Sequence, residues 1–405
     1  MSHLLQLLLL LALIIAVAKI AGALAVRIGQ PPVFGEILAG LLLGPTLLNV
    51  LGWPLFVPSA SGGEPASGLL AIVRDLAEIG VMLLMFIAGL ETDVAEMRRV
   101  GRVAFWAAFG GVVLPMAGGV AVAVAFGLPL FWEAIFIGTI LTATSVSISA
   151  QTLIELGALR SREGSTILGA AVIDDVMGIV VLSVVVALAR DAGGMSVAEF
   201  GLVMLRIAAF FAVGILAGRW LPAVLRWASG LGVSQGLLAA VLVVAFLYAW
   251  AAEYIGGVAA ITGAYLAGVL VAQTEFRTHV DAAMHPLAYS MFVPVFFISI
   301  GLQANGRELG DRVAFTVALV AVAIVTKAVG CGLFARLAGF TTPESVRVGA
   351  GMISRGEVGL IVAGYGLANG LIGRDVFSAS VIMVLVTTMV TPPLLRLTFP
   401  RPAAR

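Results

Sequence analysis

The stretch GAAVIDDVMGIVVLSVVVALA, residues 169–189, is apolar along nearly its whole length, yet it contains two adjacent carboxylates, Asp174 and Asp175. A helix rises about 1.5 Å per residue, so this stretch is long enough to cross a hydrocarbon core about 30 Å thick. An ionisable residue near the centre of a spanning helix costs at least about 2.5–3.5 kcal/mol, so it needs a partner or a water-filled cavity. The stretch therefore predicts a spanning helix that carries a functional site.

The composition of the chain indicates the same class of protein. Its 405 residues are 61% hydrophobic and 11% charged, whereas soluble domains carry about 25% charged residues. The net charge of +1 provides no basic surface for a nucleic-acid partner. The one cysteine, Cys331, lies in an apolar run and is expected only to pack. We therefore predict an all-α polytopic membrane protein whose surroundings are the lipid bilayer.

Apolar runs of about 20 residues divide the chain into thirteen predicted spanning helices. The first run is assigned to a helix rather than to a secretory signal, because no Lys or Arg precedes it. The connections are short, so we expect one membrane domain over residues 1–405 without a soluble domain. The predicted spans are 4–24, 33–49, 70–90, 103–126, 133–156, 165–189, 199–218, 235–253, 258–274, 287–303, 312–337, 346–368 and 376–398.

Arginines in the predicted loops indicate the orientation, because cytoplasmic loops of membrane proteins carry an excess of Lys and Arg. With the N-terminus outside, fourteen of these arginines are cytoplasmic and four are outside. We therefore predict an outside N-terminus and a cytoplasmic C-terminus. The cytoplasmic set is Arg27, Arg98, Arg99, Arg102, Arg160, Arg162, Arg219, Arg226, Arg277, Arg336, Arg347, Arg396, Arg401 and Arg405; the outer set is Arg190, Arg307, Arg312 and Arg374.

Two pairs of short motifs recur seven predicted helices apart. GEILAGLLLG begins at Gly35 and GAYLAGVLVA begins at Gly263, while FIAGLE ends at Glu91 and ISIGLQ ends at Gln303. An odd offset reverses the direction of a helix across the membrane, so the pattern predicts an inverted-topology repeat. Helices 1–6 would then correspond to helices 8–13, with helix 7 as the link.

The repeat also predicts where two interrupted helices would meet, near the middle of the membrane, as in secondary transporters. The fifth helix carries the hydroxyl-rich LTATSVSISAQ, residues 141–151, and its counterpart, the twelfth, carries GMISRGEVGL from Gly351. Hydroxyls and neighbouring chains can satisfy backbone groups that such a break sets free. Thr144 and Ser145 are candidate ion ligands, although mid-helix hydroxyls usually bond back to the previous turn.

The remaining charges near mid-depth are Lys327 on helix 11 and Arg355 and Glu357 on helix 12. Adjacent helical residues point about 100° apart, so Asp174 and Asp175 need not share a partner. One acid can form a structural ion pair with Lys327, while the other faces a cavity and accepts a proton or a small cation. Arg355 and Glu357 can neutralise the dipole ends of an interrupted helix.

Five stretches together give the chain a family resemblance over almost its whole length. It resembles bacterial sodium/proton antiporters of the cation/proton antiporter superfamily, in the branch with an Asp-Asp motif. A single Gly-rich motif is weak, whereas five in order with the acid pair are specific. They are QPPVFGEILAGLLLGP, LAEIGVMLLMFIAGLETD, TATSVSISAQTLIELG, GAAVIDDVMGIVVL and GMISRGEVGLIVA.

The resemblance implies an architecture, in which the two interrupted helices, 5 and 12, cross each other, and a mode of action. It implies a homodimer in the bacterial cytoplasmic membrane, with a dimerisation part made of helices 1–3 and 8–10 and linker helix 7. The core that carries ions would comprise residues 103–189 and 312–398 and would move like an elevator. Such proteins exchange Na⁺ or Li⁺ for protons, typically electrogenically, and they need no cofactor beyond the transported ions.

The resemblance also implies roles for single residues. Asp175 would be the main carboxylate for Na⁺ and for the proton, and Asp174 would form a salt bridge to Lys327. Thr144 and Ser145 match the interrupted helix of the family, so they would be cation ligands. Arg355 and Glu357 match its crossing partner and would compensate charge there.

Three other functions are weighed against sodium/proton exchange. A potassium/proton antiporter, or a potassium-efflux core without its nucleotide-binding domain, stays open as the alternative. An intramembrane aspartyl protease needs its two acids on different helices, whereas Asp174 and Asp175 are adjacent on one helix. This chain is therefore expected not to be an enzyme. A carrier of an organic solute would not require a mid-membrane lysine opposite two acids.

Overall fold

The computed structural model describes residues 2–28, 30–45, 47–56, 66–189, 197–302, 312–368 and 370–399, and its regular elements within these ranges are all helical. The helices are α1 (His3–Arg27), α2 (Pro32–Leu43), α3 (Ala66–Glu91), α4 (Val94–Ala125), α5 (Ile135–Thr142), α6 (Val146–Glu155), α7 (Arg162–Ala189), α8 (Val197–Ala217), α9 (Leu221–Ser229), α10 (Gly236–Trp250), α11 (Ala260–Val271), α12 (Arg277–Leu287), α13 (Val293–Leu302), α14 (Val313–Leu337), α15 (Thr342–Gly351), α16 (Glu357–Ala368) and α17 (Arg374–Thr398).

Length and apolar composition make this a multi-pass membrane protein. Within the described ranges, nine helical segments are long and apolar enough to cross a bilayer, and three shorter apolar helices accompany them. Each of the thirteen predicted spans overlaps at least one helix, which confirms the predicted all-α fold class. The number of helices that cross the membrane stays a prediction.

Four predicted boundaries are wrong, each for a local reason. α4 begins at Val94 rather than at 103, because the Asp93 side chain caps a charged first turn that an apolar count leaves out. α2 ends at Leu43 rather than near 49, because Gly44 is extended and precedes Pro45, and a residue before proline avoids the helical region. The span predicted from 287 begins ten residues earlier as α12, whose His and charged side chains hide it from an apolar count. The span predicted to end at 218 continues through a 3₁₀ turn into α9.

Both predicted interruptions are present, and the two broken helices cross. α5 and α6 are separated by residues 143–145, and α15 and α16 by residues 352–356. The backbone N–H of Ser145 donates to the carbonyl of Ser354 at 2.9 Å, and the Ser354 hydroxyl donates to the carbonyl of Ser145 at 2.6 Å. The Ser149 hydroxyl donates to the Gly351 carbonyl at 2.5 Å. Each break therefore satisfies polar groups of the other.

Glycines allow the helices of the predicted repeat to approach closely. A Cβ on Gly301 of α13 would overlap the backbone of Gly40 on α2, and a Cβ on Gly268 of α11 would lie 3.0 Å from the Cα of Gly89 on α3. These four glycines belong to the recurring motifs. The second predicted helix thus packs on the tenth, as the ninth packs on the third. This exchange of partners is what a repeat with an offset of seven helices requires.

The helices form two sets that meet around the crossing point. In one set, α4 packs on α14, α7 and α5, and α17 packs on α14, α15 and α16. In the other, α2 packs on α1 and α13, and α11 packs on α3 and α10. We call these the crossing set (α4–α7 and α14–α17) and the outer set (α1–α3 and α10–α13). The Asp-Asp helix, α7, belongs to the crossing set because it packs on α4, α5, α6 and α15.

Candidate ion-binding site

A cavity of about 350 Å³ lies where the two sets of helices meet. The crossing set contributes the end of α5, the break that follows it, the middle of α7 and part of α16. The outer set contributes part of α3 and the segment that leads from α10 into α11. Four carboxylates are in its wall: Asp174, Asp175, Glu78 and Glu253. The cavity therefore joins a broken helix to an acidic wall, the combination that transporters use for ions.

Asp174 and Lys327 form a completely buried ion pair in this wall. The Lys327 ammonium lies 3.1 Å from Oδ1 and 3.3 Å from Oδ2 of Asp174, and the two side chains are 0% and 2% exposed. The Lys327 ammonium also donates to the carbonyls of Gly111 at 2.8 Å and Thr142 at 2.7 Å. An ammonium group has three donors, so these contacts satisfy it fully. The pair also binds α7 and α14 to the end of α5.

Arg355 is buried at the same crossing and contacts backbone carbonyls. Its Nη2 donates to Leu141 at 2.8 Å and to Ala323 at 3.1 Å, and its Nη1 donates to Ile353 at 3.1 Å. Leu141 is in the last turn of α5, where helix carbonyls lack helical partners and carry partial negative charge. Together with Lys327, this guanidinium neutralises the broken end of α5. The side chain of Glu357 lies outside the described part of the structure.

Asp175 is oriented differently from its neighbour. It is partly buried, it lines the cavity, and its Oδ2 accepts a hydrogen bond from the Thr262 hydroxyl at 3.0 Å. Thr262 lies in the first turn of α11, in the outer set. The two acids therefore have separate surroundings, as the angle between adjacent helical residues predicts.

The two candidate hydroxyl ligands also differ in position. Thr144 lines the cavity and is 4% exposed, and its hydroxyl lies beside the Asp174 carboxylate without the geometry of a strong hydrogen bond. Ser145 is fully buried, and its hydroxyl lies 2.9 Å from that of Ser147 on the same broken helix. Among the described residues, the cavity wall includes Thr144 and not Ser145.

Two acids of the cavity wall, and the threonine that contacts Asp175, carry little signal in the sequence. Glu78 and Glu253 lie toward the ends of predicted spans, where charged residues usually face the lipid headgroups, and Thr262 is one hydroxyl in an apolar helix. The fold places Glu78 and Glu253 in the same cavity wall as Asp175, and it brings the Thr262 hydroxyl to 3.0 Å from the Asp175 carboxylate. Glu78 and Glu253 could have been proposed as site residues from their depth in the predicted spans, but the contact between Thr262 and Asp175 could not.

A second polar cluster lies at the opposite end of α6. His285 Nε2 is 3.6 Å from Glu91, its Nδ1 is 3.5 Å from Asp281, and its ring stacks on Tyr289. The Tyr289 hydroxyl donates to Oε1 of Gln151 on α6 at 2.6 Å. One possible ligand atom from each of His285, Glu91 and Asp281 lies within 4.8 Å of the other two. The two carboxylates contact opposite ring nitrogens, which is the arrangement of an ion-pair cluster rather than of ligands around one metal ion.

The comparison with known families decides the class of transporter. The family model described as "Sodium/hydrogen exchanger, transmembrane" matches residues 12–399. The chain belongs to the sodium/hydrogen exchanger family. It is therefore a cation/proton antiporter in a membrane, and a transporter rather than an enzyme, which confirms those predictions.

Curated relatives cover almost the whole antiporter. The Na⁺/H⁺-K⁺ antiporter GerN of Bacillus cereus is 42% identical over 390 residues, which is 96% of this chain and 95% of GerN. The high-affinity Na⁺/H⁺ antiporter NhaS3 of Synechocystis is 36% identical over 417 residues, 96% of this chain and 89% of NhaS3. The predicted resemblance to bacterial antiporters is confirmed.

The antiporter also shares its fold with a solved structure. The sodium proton antiporter MjNhaP1 from Methanocaldococcus jannaschii at pH 8 matches with a TM-score of 0.71 and 15% identity, over 98% of this chain and 97% of that chain. At this identity the likeness concerns the fold alone. It supports the all-helical architecture in which the broken helices and the cavity are found.

Proposed function

We propose that this antiporter exchanges Na⁺, or Li⁺, for protons at the carboxylate of Asp175. The observation that carries the proposal is the division of the two adjacent acids. Asp174 is paired with buried Lys327, whereas Asp175 lines a cavity beside a broken helix. A carboxylate that holds either a proton or a small cation suffices for exchange, because each displaces the other. Carboxylates within membranes commonly mark such ion and proton pathways.

Oxygen atoms around Asp175 provide the rest of the proposed cation site. Hard cations prefer carboxylate, carbonyl and hydroxyl oxygens. The Thr144 hydroxyl is buried in the cavity wall beside the Asp174 carboxylate, so it adds a further oxygen near the proposed site. The break at residues 143–145 adds non-helical backbone. The Ser145 hydroxyl lies against Ser147, so we assign Ser145 to the crossing rather than to the cation site.

Alternating access is proposed to come from movement of the crossing set against the outer set, like an elevator. The cavity lies at the boundary between these sets, so a displacement there would change which side reaches Asp175. The outer set, with α8 and α9 as the link, is the proposed dimerisation part of a homodimer. The proposed location is the bacterial cytoplasmic membrane, with the N-terminus outside.

Exchange is proposed to be electrogenic, with more protons than cations in each cycle. Asp174, Asp175 and Lys327 are three ionisable groups around one cation position. A site with three such groups can exchange more than one proton for a single Na⁺.

Potassium is the second candidate cargo, and the name of one relative favours it. GerN is a Na⁺/H⁺-K⁺ antiporter and shares 42% identity with this chain. A K⁺/H⁺ exchanger, or one that returns K⁺ together with protons, would use the same Asp175 site. The selectivity then depends on how many oxygens contact the cation.

Cation-induced proton efflux from proteoliposomes tests the proposal. Na⁺, Li⁺ and K⁺ are compared at equal concentration, with the membrane potential clamped and unclamped. We expect proton efflux with Na⁺ and Li⁺, a rate that changes when the potential is clamped, and loss of exchange in Asp175→Asn. Asp375→Asn is the matched control, because this aspartate pairs with Arg312 far from the cavity.

Each arm of this experiment has an outcome that contradicts part of the proposal. Full exchange in Asp175→Asn would remove Asp175 from the ion site. A K⁺ response equal to or above the Na⁺ response would replace Na⁺ by K⁺ as the cargo. A rate independent of the clamp would contradict electrogenic exchange.

A further inference from the structure

The hydrogen bond between Thr262 and Asp175 connects the two sets of helices. The Thr262 hydroxyl donates to Oδ2 of Asp175 at 3.0 Å, and Thr262 is 3% exposed. Asp175 lies on α7, which packs on α4, α5, α6 and α15, whereas Thr262 lies on α11, which packs on α3 and α10. The bond thus joins the carrier of the proposed ion site to the helices against which it would move.

The first turn of α11 is a favourable position for a negative charge. Residues 257–261, which lead into this turn, line the cavity, and the helix begins at Ala260. The first N–H groups of a helix lack helical partners, and the helix dipole gives them positive partial charge. These groups and the Thr262 hydroxyl together stabilise a charged carboxylate at this point of the wall.

Other charges around the cavity do not hold Asp175 in this way. Glu78 and Glu253 have the same sign, so they repel its charged form. Lys327 is engaged by Asp174 and two backbone carbonyls. The Thr262 bond favours a negative charge on Asp175, and it crosses between the two sets.

We infer that Thr262 and the first turn of α11 hold the charged carboxylate of Asp175 and release it when a cation or a proton neutralises it. Thr262 is then a positioning residue that prevents the crossing set from moving while it carries no ion. This inference rests on the proposed function, since it explains how exchange stays coupled at the Asp175 site.

The energetics follow from the difference between the two states of the carboxylate. A hydrogen bond to a charged group contributes about 1.5–3 kcal/mol, and one between neutral groups about 0.5–1.5 kcal/mol. A movement that breaks the bond is therefore hindered more when Asp175 is charged. A ligand shifts a conformational equilibrium only through such a difference between states. Neutralisation by either ion lowers the barrier, and this gives exchange rather than leak.

Two substitutions separate the hydroxyl from the shape of the side chain. Thr262→Val keeps the volume and removes the donor, and Thr262→Ser keeps the donor. Thr316→Val is the matched control, because the Thr316 hydroxyl is also buried but donates to the Arg312 carbonyl at the start of its own helix, and Thr316 is not among the residues that line the cavity. Proteoliposomes of the full chain are assayed for Na⁺ flux, for proton flux and for the apparent KM for Na⁺. Wild-type exchange in the same vesicles tests the proposed function first.

The inference expects a specific pattern. In Thr262→Val, the number of protons exchanged for each Na⁺ falls by at least about twofold. The apparent KM for Na⁺ also falls, by up to about tenfold, because a charged hydrogen bond that competes with Na⁺ is lost. Thr262→Ser, which keeps the donor, and the control Thr316→Val stay within about twofold of wild type. A rise in KM at an unchanged proton ratio would overturn the inference and make Thr262 a cation ligand. An unchanged ratio and KM in Thr262→Val would also overturn it, whereas absence of wild-type exchange would contradict the proposed function instead.

Discussion

The buried ammonium of Lys327 shows how one residue supports both the fold and the site. It has no exposed surface, and its three donors are used by Asp174 and by the carbonyls of Gly111 and Thr142. Removing one partner of such a pair leaves an uncompensated charge in a medium that solvates it poorly. Replacing both partners with neutral groups avoids that cost, so the pair can be tested apart from the fold.

Lys327→Gln is expected to destabilise the antiporter by about 3–5 kcal/mol, because it leaves Asp174 buried without its cation. The double variant Lys327→Gln with Asp174→Asn should recover most of that loss, since neither side chain is then charged. The measurement is the midpoint of thermal unfolding of the purified protein in detergent. Asp375→Asn, in an exposed pair with Arg312, should change the midpoint little. Equal midpoints for the single and the double variant would contradict this account.

Sequence and structure agree unequally at the residue scale. The acid pair and Lys327 could be selected from sequence, because a charge in an apolar span is rare and needs a partner. The structure brings Asp174 and Lys327 together and leaves Asp175 in the cavity wall. Thr262 could not be selected, since hydroxyls are common in spanning helices. Its role depends on a contact between helices far apart in the chain.

At the scale of helices, three π-type turns in the described part of the chain place polar groups that a regular helix would not. They cover Leu130–Ala134, Ala251–Gly256 and Ala288–Phe292. The second contains Glu253 of the cavity wall, and the third contains Tyr289, which contacts Gln151. Such turns insert an extra residue and often occur at functional sites. A count of apolar residues cannot detect them, which is why the sequence predicted plain spans there.

Tyr289→Phe is expected to loosen the end of α6 that faces away from the cavity. The Tyr289 hydroxyl donates to Gln151 at 2.6 Å, and its loss leaves a buried acceptor unsatisfied, at a cost of about 1–3 kcal/mol. Backbone amides of α6 should then exchange with deuterium about tenfold faster, as expected for a cost near 1.4 kcal/mol. Hydrogen–deuterium exchange with mass spectrometry measures this effect.

The matched control for this prediction is Tyr254→Phe. Tyr254 is 71% exposed and stacks on Trp250 in another of the π-type turns. Its hydroxyl can be lost without leaving a buried partner, so the exchange of α6 should stay at the wild-type rate. Protection of α6 that is the same in Tyr289→Phe as in wild type would show that the Tyr289 contact does not hold the two sets together.

At the scale of the whole molecule, the repeat explains why recurring motifs predicted distant contacts. Gly40 packs on Gly301, and Gly89 packs on Gly268, so each half of the chain packs on the other with equivalent residues. Motif spacing therefore predicted the relation between the halves, and the hydroxyl-rich and Gly-rich stretches predicted the breaks. The depth and shape of the cavity could not be predicted, because they depend on how far one set is displaced along the other.

The orientation determines which side of the membrane this cavity faces, and it can be tested with single thiols. With the N-terminus outside, the turn that carries Glu253 is outside and the end of α9 is cytoplasmic. Tyr254→Cys, 71% exposed beside Glu253, should react with a membrane-impermeant maleimide in intact cells. Ser229→Cys, exposed on α9, should react only after the membrane is opened.

The native thiol makes this measurement clean, because Cys331 is fully buried and is the one cysteine of the chain. The unsubstituted protein should therefore give little labelling under either condition. The opposite pattern, with Ser229→Cys reactive in intact cells and Tyr254→Cys protected, would invert the topology. The cavity would then face the cytoplasm, and Thr262 would hold charged Asp175 at the side from which Na⁺ is loaded rather than the side to which it is released.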